Sequence, residues 1–210
     1  MHTPSSAEAG TAAAEPTPTP CAAAEAQCEH APPACTMSLL ALDSPPSPTT
    51  DYVGAARWGF ARIISGHWPQ NGSAQRRKQG LEKILPTRGQ PLPTAFALLE
   101  RQEGRAPIVV GGGVLRELAA WAGVTSTELA TTQGYSRACL ALTVVVDGER
   151  RGQGHGRELV AQLEEAARER GFSCMYLFSD DTVEFWSKMG YSLIPGLAPR
   201  NGHPWMRKKL

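Results

Sequence analysis

The stretch from Ala138 to Arg170 constrains this chain most: a nearly unbroken apolar run, Ala138 to Val146, a polar turn, three glycines in five residues, and an amphipathic helix. A run of nine apolar-rich residues with no alternation is the pattern of a strand covered on both faces. The turn of Asp147 to Arg151 and the glycines Gly152, Gly154 and Gly156 lead into a helix expected from about His155 to Arg170. Leu159, Leu163, Ala166 and Ala167 fall on one face of it, with Arg157, Glu164, Glu165 and Arg168 expected towards water, and Gly171 stops it as a C-cap does. A strand that feeds a helix through glycines is an anion site, because the first helical N–H groups lack partners within the helix and carry the positive end of its dipole.

Two familiar phosphate loops are excluded by spacing. A G-x-G-x-x-G fingerprint begun at Gly152 meets Arg157 in its last place, and one begun at Gly154 meets Leu159; no Gly-Lys-Ser/Thr occurs anywhere. A purely structural loop stays open on glycine spacing alone.

The surrounding pattern is α/β (α+β). A helix is expected from Asp51 to Gly66, with Val53, Ala56, Trp58, Phe60, Ile63 and Ile64 at helical spacing, then a turn at His67-Trp68-Pro69 and a weaker helix over 72–81. Strands are expected over 95–99 and 107–115, the second carrying Gly111-Gly112-Gly113, which marks a bulge or a close backbone approach. Residues 86–93 and 119–135 read as loops. Further strands are expected over 174–178, 191–194 and 205–209, with a short helix over 182–189.

Residues 1–50 hold most of the prolines, Ala-rich runs, five acids and no Lys or Arg, and are expected to be a disordered tail ahead of one domain over 51–210. The domain then carries +6 of charge, against +1 for the whole chain, which suits an anionic ligand or partner as well as a merely soluble surface. The short basic runs Arg76-Arg77-Lys78 and Arg207-Lys208-Lys209 do not argue for nucleic acid, no window has the length of a membrane span, and no secretory leader is apparent, so the expected setting is the cytoplasm. Cys21, Cys28 and Cys35 match no zinc spacing; reduced thiols and no metal are expected.

Arg151-Gly152-Gln153-Gly154-His155-Gly156 resembles the Q/R-x-x-G-x-G/A motif of the GCN5-related N-acetyltransferases (GNAT), in the same place between strand and helix, and Phe185-Trp186-Ser187-Lys188-Met189-Gly190-Tyr191 is similar to that family's F-Y-x-x-x-G-F/Y stretch. The resemblance implies the GNAT fold, a mixed central sheet with splayed central strands flanked by helices, and acetyl-CoA as cosubstrate. It implies that amides from Gly152 to Gly156, through Gln153, Gly154 and His155, hold the pyrophosphate, that Val144, Val145 and Val146 pair with the pantetheine, and that Arg151 and Arg157 add charge. Asp181 is a further candidate for coenzyme contact or for capping the short helix. His67-Trp68-Pro69, Pro107 to Gly111, Thr143 to Val146, Ala167 to Phe172 and Trp205-Met206 are similar to family members that acetylate acidic N-termini such as actin's. This implies an Nα-acetyltransferase with Trp68 near the acceptor; acceptors of another kind, a small amine or a lysine, and a non-catalytic acyl-CoA-binding domain stay open.

The chain departs from the family pattern at two places. Trp186 stands where many relatives carry a Tyr acid, and Leu142 where a carboxylate is expected. Tyr191 keeps a hydroxyl and is the candidate acid or orienter. An α-amine tolerates a missing base best: with a pKa near 8, roughly a tenth of it is neutral at pH 7.

Overall fold

A computed structural model describes residues 35–43, 52–69, 73–82, 94–118, 137–179 and 182–210. The expected loops over 86–93 and 119–135, Asp181, and all but residues 35–43 of the expected tail lie outside the described residues. The elements run β1 (Thr36–Ala41), α1 (Tyr52–His67), α2 (Ala74–Glu82), β2 (Thr94–Arg101), β3 (Ile108–Glu117), β4 (Ala138–Val146), a 3-10 turn (Gly148–Arg150), α3 (His155–Glu169), β5 (Cys174–Phe178), α4 (Val183–Lys188), β6 (Ser192–Leu193) and β7 (Trp205–Lys209). Among the described residues seven strands form one mixed sheet in the order β1-β2-β3-β4-β5-β7-β6. Only β4 and β5 pair in parallel; the other neighbours are antiparallel.

Strand β2 shows why the sheet is buried on both sides. Its alternate residues Phe96 and Leu98 join the cluster under α3, while Ala95, Ala97 and Leu99 join the cluster under α1. The apolar stripe of α3, Leu159, Val160 and Leu163 with Ala166 and Ala167, lies on the first of these faces; each large side chain so buried contributes about 1.5–3 kcal/mol. Ala56, Phe60, Ala61 and Ile64 of α1 cover the second. Helix α3 ends in a Schellman motif: Gly171, at φ 81°, donates to the Arg168 carbonyl and Phe172 donates to the Ala167 carbonyl. No described helix is long and apolar enough to cross a membrane.

The three glycines of β3 serve a close approach and a bulge together. A Cβ on Gly112 would lie 2.4 Å from the Phe96 carbonyl oxygen and 2.6 Å from the Phe60 ring, so α1 rests on the sheet where no side chain intervenes. Beside it, Gly112 faces Val145 and Val114 faces Leu142, so Thr143 and Val144 together oppose the single residue Gly113. That extra residue shifts the strand's phase. Before the bulge Cys139 and Ala141 point to α3; beyond it the even-numbered Val144 and Val146 do, and Val145 turns to α1.

Two expectations are corrected here. Residues 36–41 were counted within the tail, yet they form β1, paired with β2 from Thr36↔Arg101 to Ala41↔Phe96. Composition averaged over fifty residues hides the short apolar run Met37-Ser38-Leu39-Leu40-Ala41-Leu42, whose last residue is buried and whose carbonyl accepts a hydrogen bond from Arg57 Nε of α1 at 2.9 Å. Glu164, expected towards water, is 4% exposed, and Lys208 of β7 reaches its two carboxylate oxygens at 2.9 and 2.7 Å.

Candidate active site

The site begins where β4 leaves its neighbour. Parallel pairing with β5 covers Ala138 to Leu140 only, opposite Cys174 to Tyr176, so the described part of β5 does not pair with Thr143 to Val146. Thr143 itself sits at φ 53°, in the left-handed region that costs a β-branched residue free energy, and it does so at the bulge. The strand then turns sharply. Asp147 donates its N–H to the Val110 carbonyl and accepts from Glu149 N–H, and the chain passes Gly152 and Gly154 at φ 79° and 88° before α3 begins. Gly154 occupies the N-cap position and supplies no side-chain cap; its carbonyl takes the Arg157 and Glu158 N–H groups, and the amides ahead of them, at His155 and Gly156, are the ones suited to a ligand.

A cavity of about 660 Å³ opens against this turn. The structure brings Val144, Val145, Val146, Gly152, Gly154 and Gly156 to its wall, together with the two cations Arg151 and Arg157. Gln153 and His155 instead line a depression on another side of the loop, beside Cys35, Met37 and Glu100, where the His155 ring meets Gln153 Oε1 at 3.3 Å. Asp181 lies outside the described residues. Phe185 and Trp186 of α4 close the cavity, and the two rings meet edge to face at 5.3 Å.

Several groups at this cavity were not singled out from sequence. Arg150 lines it and is held by Glu100 of β2, its Nη1 2.6 Å from the carboxylate. The Cys35 thiol donates to the same carboxylate at 3.0 Å, and with Arg150 it holds the Glu100 carboxyl below the usual range. His67 also lines the cavity, with Nδ1 2.7 Å from Arg151 Nη2. A guanidinium can only donate, so Nδ1 accepts and the neutral ring carries its proton on Nε2. No signal beyond adjacency to Trp68 marked His67, and none marked Arg150, whose partner lies fifty residues away.

A second cavity of about 360 Å³ lies on the other side of the Thr143 bulge. Trp68 lines it, set there because its N–H continues the last turn of α1 to the Ile64 carbonyl and its ring stands edge-on to His67 at 4.3 Å. Leu142, Thr143, Arg77 and His203 line it too. His67, Val144, Thr182 and Trp186 belong to both walls, so the two cavities meet at the bulge.

Tyr191 is not brought to either wall. It is 2% exposed, its hydroxyl donates to the Met175 sulfur at 3.0 Å, and its ring packs edge-on against Trp186 at 5.2 Å. Burial, with the charge of Glu164 second, pushes its phenol far above the ordinary value. Such a group gives up no proton near neutral pH, and the expected role as acid is corrected on this geometry.

A sequence model of the acetyltransferase (GNAT) family matches residues 65–191. The chain belongs to this family. Every residue of the first cavity falls within the matched stretch, while Asn201 and His203 of the second lie beyond it. The chain is 30% identical over 146 residues to N-alpha-acetyltransferase 80 of Mus musculus, a match that covers 67% of this chain and 40% of that protein, so it spans well under half of that relative's length. Among solved structures it resembles an aminoglycoside 6'-N-acetyltransferase complexed with coenzyme A (TM-score 0.55, 16% identity, 83% of this chain and 96% of that one). It also resembles Tetrahymena GCN5 (TM-score 0.51, 12% identity, 83% and 95%). At these identities the likeness is one of fold. Among the described residues no group of three or more His, Cys, Asp or Glu converges as a metal site.

Proposed function

We propose that this chain transfers the acetyl group of acetyl-CoA to the α-amino group of acidic protein N-termini, actin's among them. The observation that carries the reading is the meeting of two cavities at the Thr143 bulge. One is walled by glycine-loop amides and arginines, the other by Trp68 and basic side chains. Amides between Gly152 and Gly156, with Arg151 and Arg157, are suited to a diphosphate, and the edge of Val144 to Val146 that the described part of β5 leaves unpaired is suited to an amide-bearing arm. The name of the mouse relative supports an α-amine as acceptor.

In the reaction the neutral amine attacks the thioester carbonyl carbon, the C–N bond forms, the C–S bond breaks, and sulfur leaves with the electron pair as thiolate. The nitrogen releases one proton. His203, in the acceptor cavity, is placed to receive it, and the Nε2–H of His67, at the junction, is the side-chain donor for charge developing on oxygen or sulfur. A thiol with a pKa roughly one or two units above neutral leaves acceptably as thiolate, which is consistent with Tyr191 standing apart. The proposed setting is the cytoplasm, where free thiols such as Cys139 and Cys174 persist.

The test is transfer from labelled acetyl-CoA to peptides beginning Asp-Asp-Asp, Glu-Glu-Glu, Ser or Ala, with a polyamine and an internal-lysine peptide alongside. Preferential labelling of the acidic starts is expected. Equal labelling of all peptides, or labelling of the polyamine alone, rejects the reading.

A further inference from the structure

Arg77 stands out in the second cavity. Its Nε is buried without a hydrogen-bond partner, the one such side-chain nitrogen or oxygen among the described residues. Arg77 as a whole is half-buried, but buried N–H donors are almost always satisfied, and this one is not. The side chain is held inward by its helix. Ser73 starts α2, its hydroxyl accepting from Arg76 N–H and its carbonyl from Arg77 N–H. One turn after Arg77, Leu81 on the same face is buried in the cluster under α1. The wall around Arg77 holds His67, His203 and Asn201, and among its described residues no Asp or Glu. A wall with one guanidinium, two imidazoles and no described acid, and with a guanidinium N–H left unpaired, matches a carboxylate, which accepts charge-assisted N–H bonds. The loop amides with Arg151 and Arg157 provide separately for phosphate, in the other cavity.

We infer that Arg77 is the specificity-determining residue that receives a side-chain carboxylate from the first residues of the acceptor. The inference rests on the N-terminal acetylation proposed above and adds the group that reads acidity.

The experiment compares kcat/KM of the full chain for two peptides that differ only in beginning Asp-Asp-Asp or Asn-Asn-Asn, isosteres with and without charge. The unaltered chain should favour the acidic peptide by on the order of ten- to a hundredfold, the size of one charge-assisted pairing. In Arg77→Gln that ratio should fall to about threefold or less, the loss falling on the acidic peptide; coenzyme A affinity and melting temperature report the fold. Arg77→Lys, which keeps the charge without the fork, should give an intermediate ratio. The assignment is overturned if Arg77→Gln keeps the full preference, or if it weakens both peptides equally while coenzyme A binding holds. An unaltered chain that acetylates both peptides equally also overturns it and leaves N-terminal transfer standing. If the unaltered chain labels neither peptide but labels a polyamine, the N-terminal reading itself fails.

Discussion

Replacing Gly154 by Ala isolates the backbone geometry on which coenzyme binding depends. Gly154 sits at φ 88°, and a Cβ there meets nothing within 4 Å, so the substitution introduces no clash. What it introduces is left-handed backbone on an L-residue, about 1–2 kcal/mol. Gly148, in the preceding turn, also has open space around its would-be Cβ but needs no positive φ, and Gly148→Ala is therefore the control. The loss of unfolded-chain freedom on going from Gly to Ala, about 0.4–1 kcal/mol, is common to the two and cancels in the comparison. The strain in Gly154→Ala can appear in two ways. If the loop keeps its shape, the folded state is destabilised and the melting temperature drops by about 2–8 °C for a chain of this size. If the loop relaxes to a negative φ, the first-turn amides of α3 no longer converge, and the coenzyme A dissociation constant rises by about five- to thirtyfold. Calorimetric titration with coenzyme A and a thermal melt of each variant measure both routes, and together they should recover the expected strain. Unchanged affinity and unchanged melting in Gly154→Ala, or equal damage in Gly148→Ala, would refute the reasoning.

Two further outcomes follow from the buried acids. Lys208→Met should destabilise the protein by up to about 3–5 kcal/mol, because it leaves Glu164, at 5% side-chain exposure, with only the longer pairing to Arg168 at 3.6 Å, whereas adding Glu164→Leu should recover most of that loss; urea unfolding of the single and double variants checks it, and a double variant no better than the single contradicts it. Glu100 is held below the ordinary carboxylate value of 4.5 first by the Cys35 thiol and then by Arg150, so its contribution is present above that value and is lost as pH falls through its lower folded one. The stability difference between the native chain and Glu100→Gln should accordingly shrink between pH 6 and pH 3, and a difference that grows on acidification would show the sign to be wrong.

What could be read from the sequence was what is local in the chain. Strand β4, the glycine turn and α3 are contiguous, so their apolar pattern and loop composition carry the anion site without reference to anything else. The three glycines of β3 signalled a bulge or a close approach, and only the third dimension shows that Phe60 takes the space over Gly112 while Gly113 faces the extra residue. Glu164 was misread because a helical wheel sees its own helix alone; its partner, Lys208, arrives from the last strand. Arg77 was one of three adjacent bases, distinguishable only once Leu81 fixes which face of α2 turns inward. Tyr191 was read from its place in a motif, and the ring was instead taken up by Trp186 and Met175.

The first strand carries a practical consequence. Because β1 is the edge strand and lies against β2, a version of this protein trimmed at residue 51 on the strength of composition makes β2, apolar and buried along nearly its whole length, the new edge of the sheet. The uncovered rim would invite a second molecule to dock there edge to edge, and the trimmed protein should clump while a version begun just before Cys35 stays dispersed. Inactivity of a shortened preparation would then speak of self-association and not of chemistry.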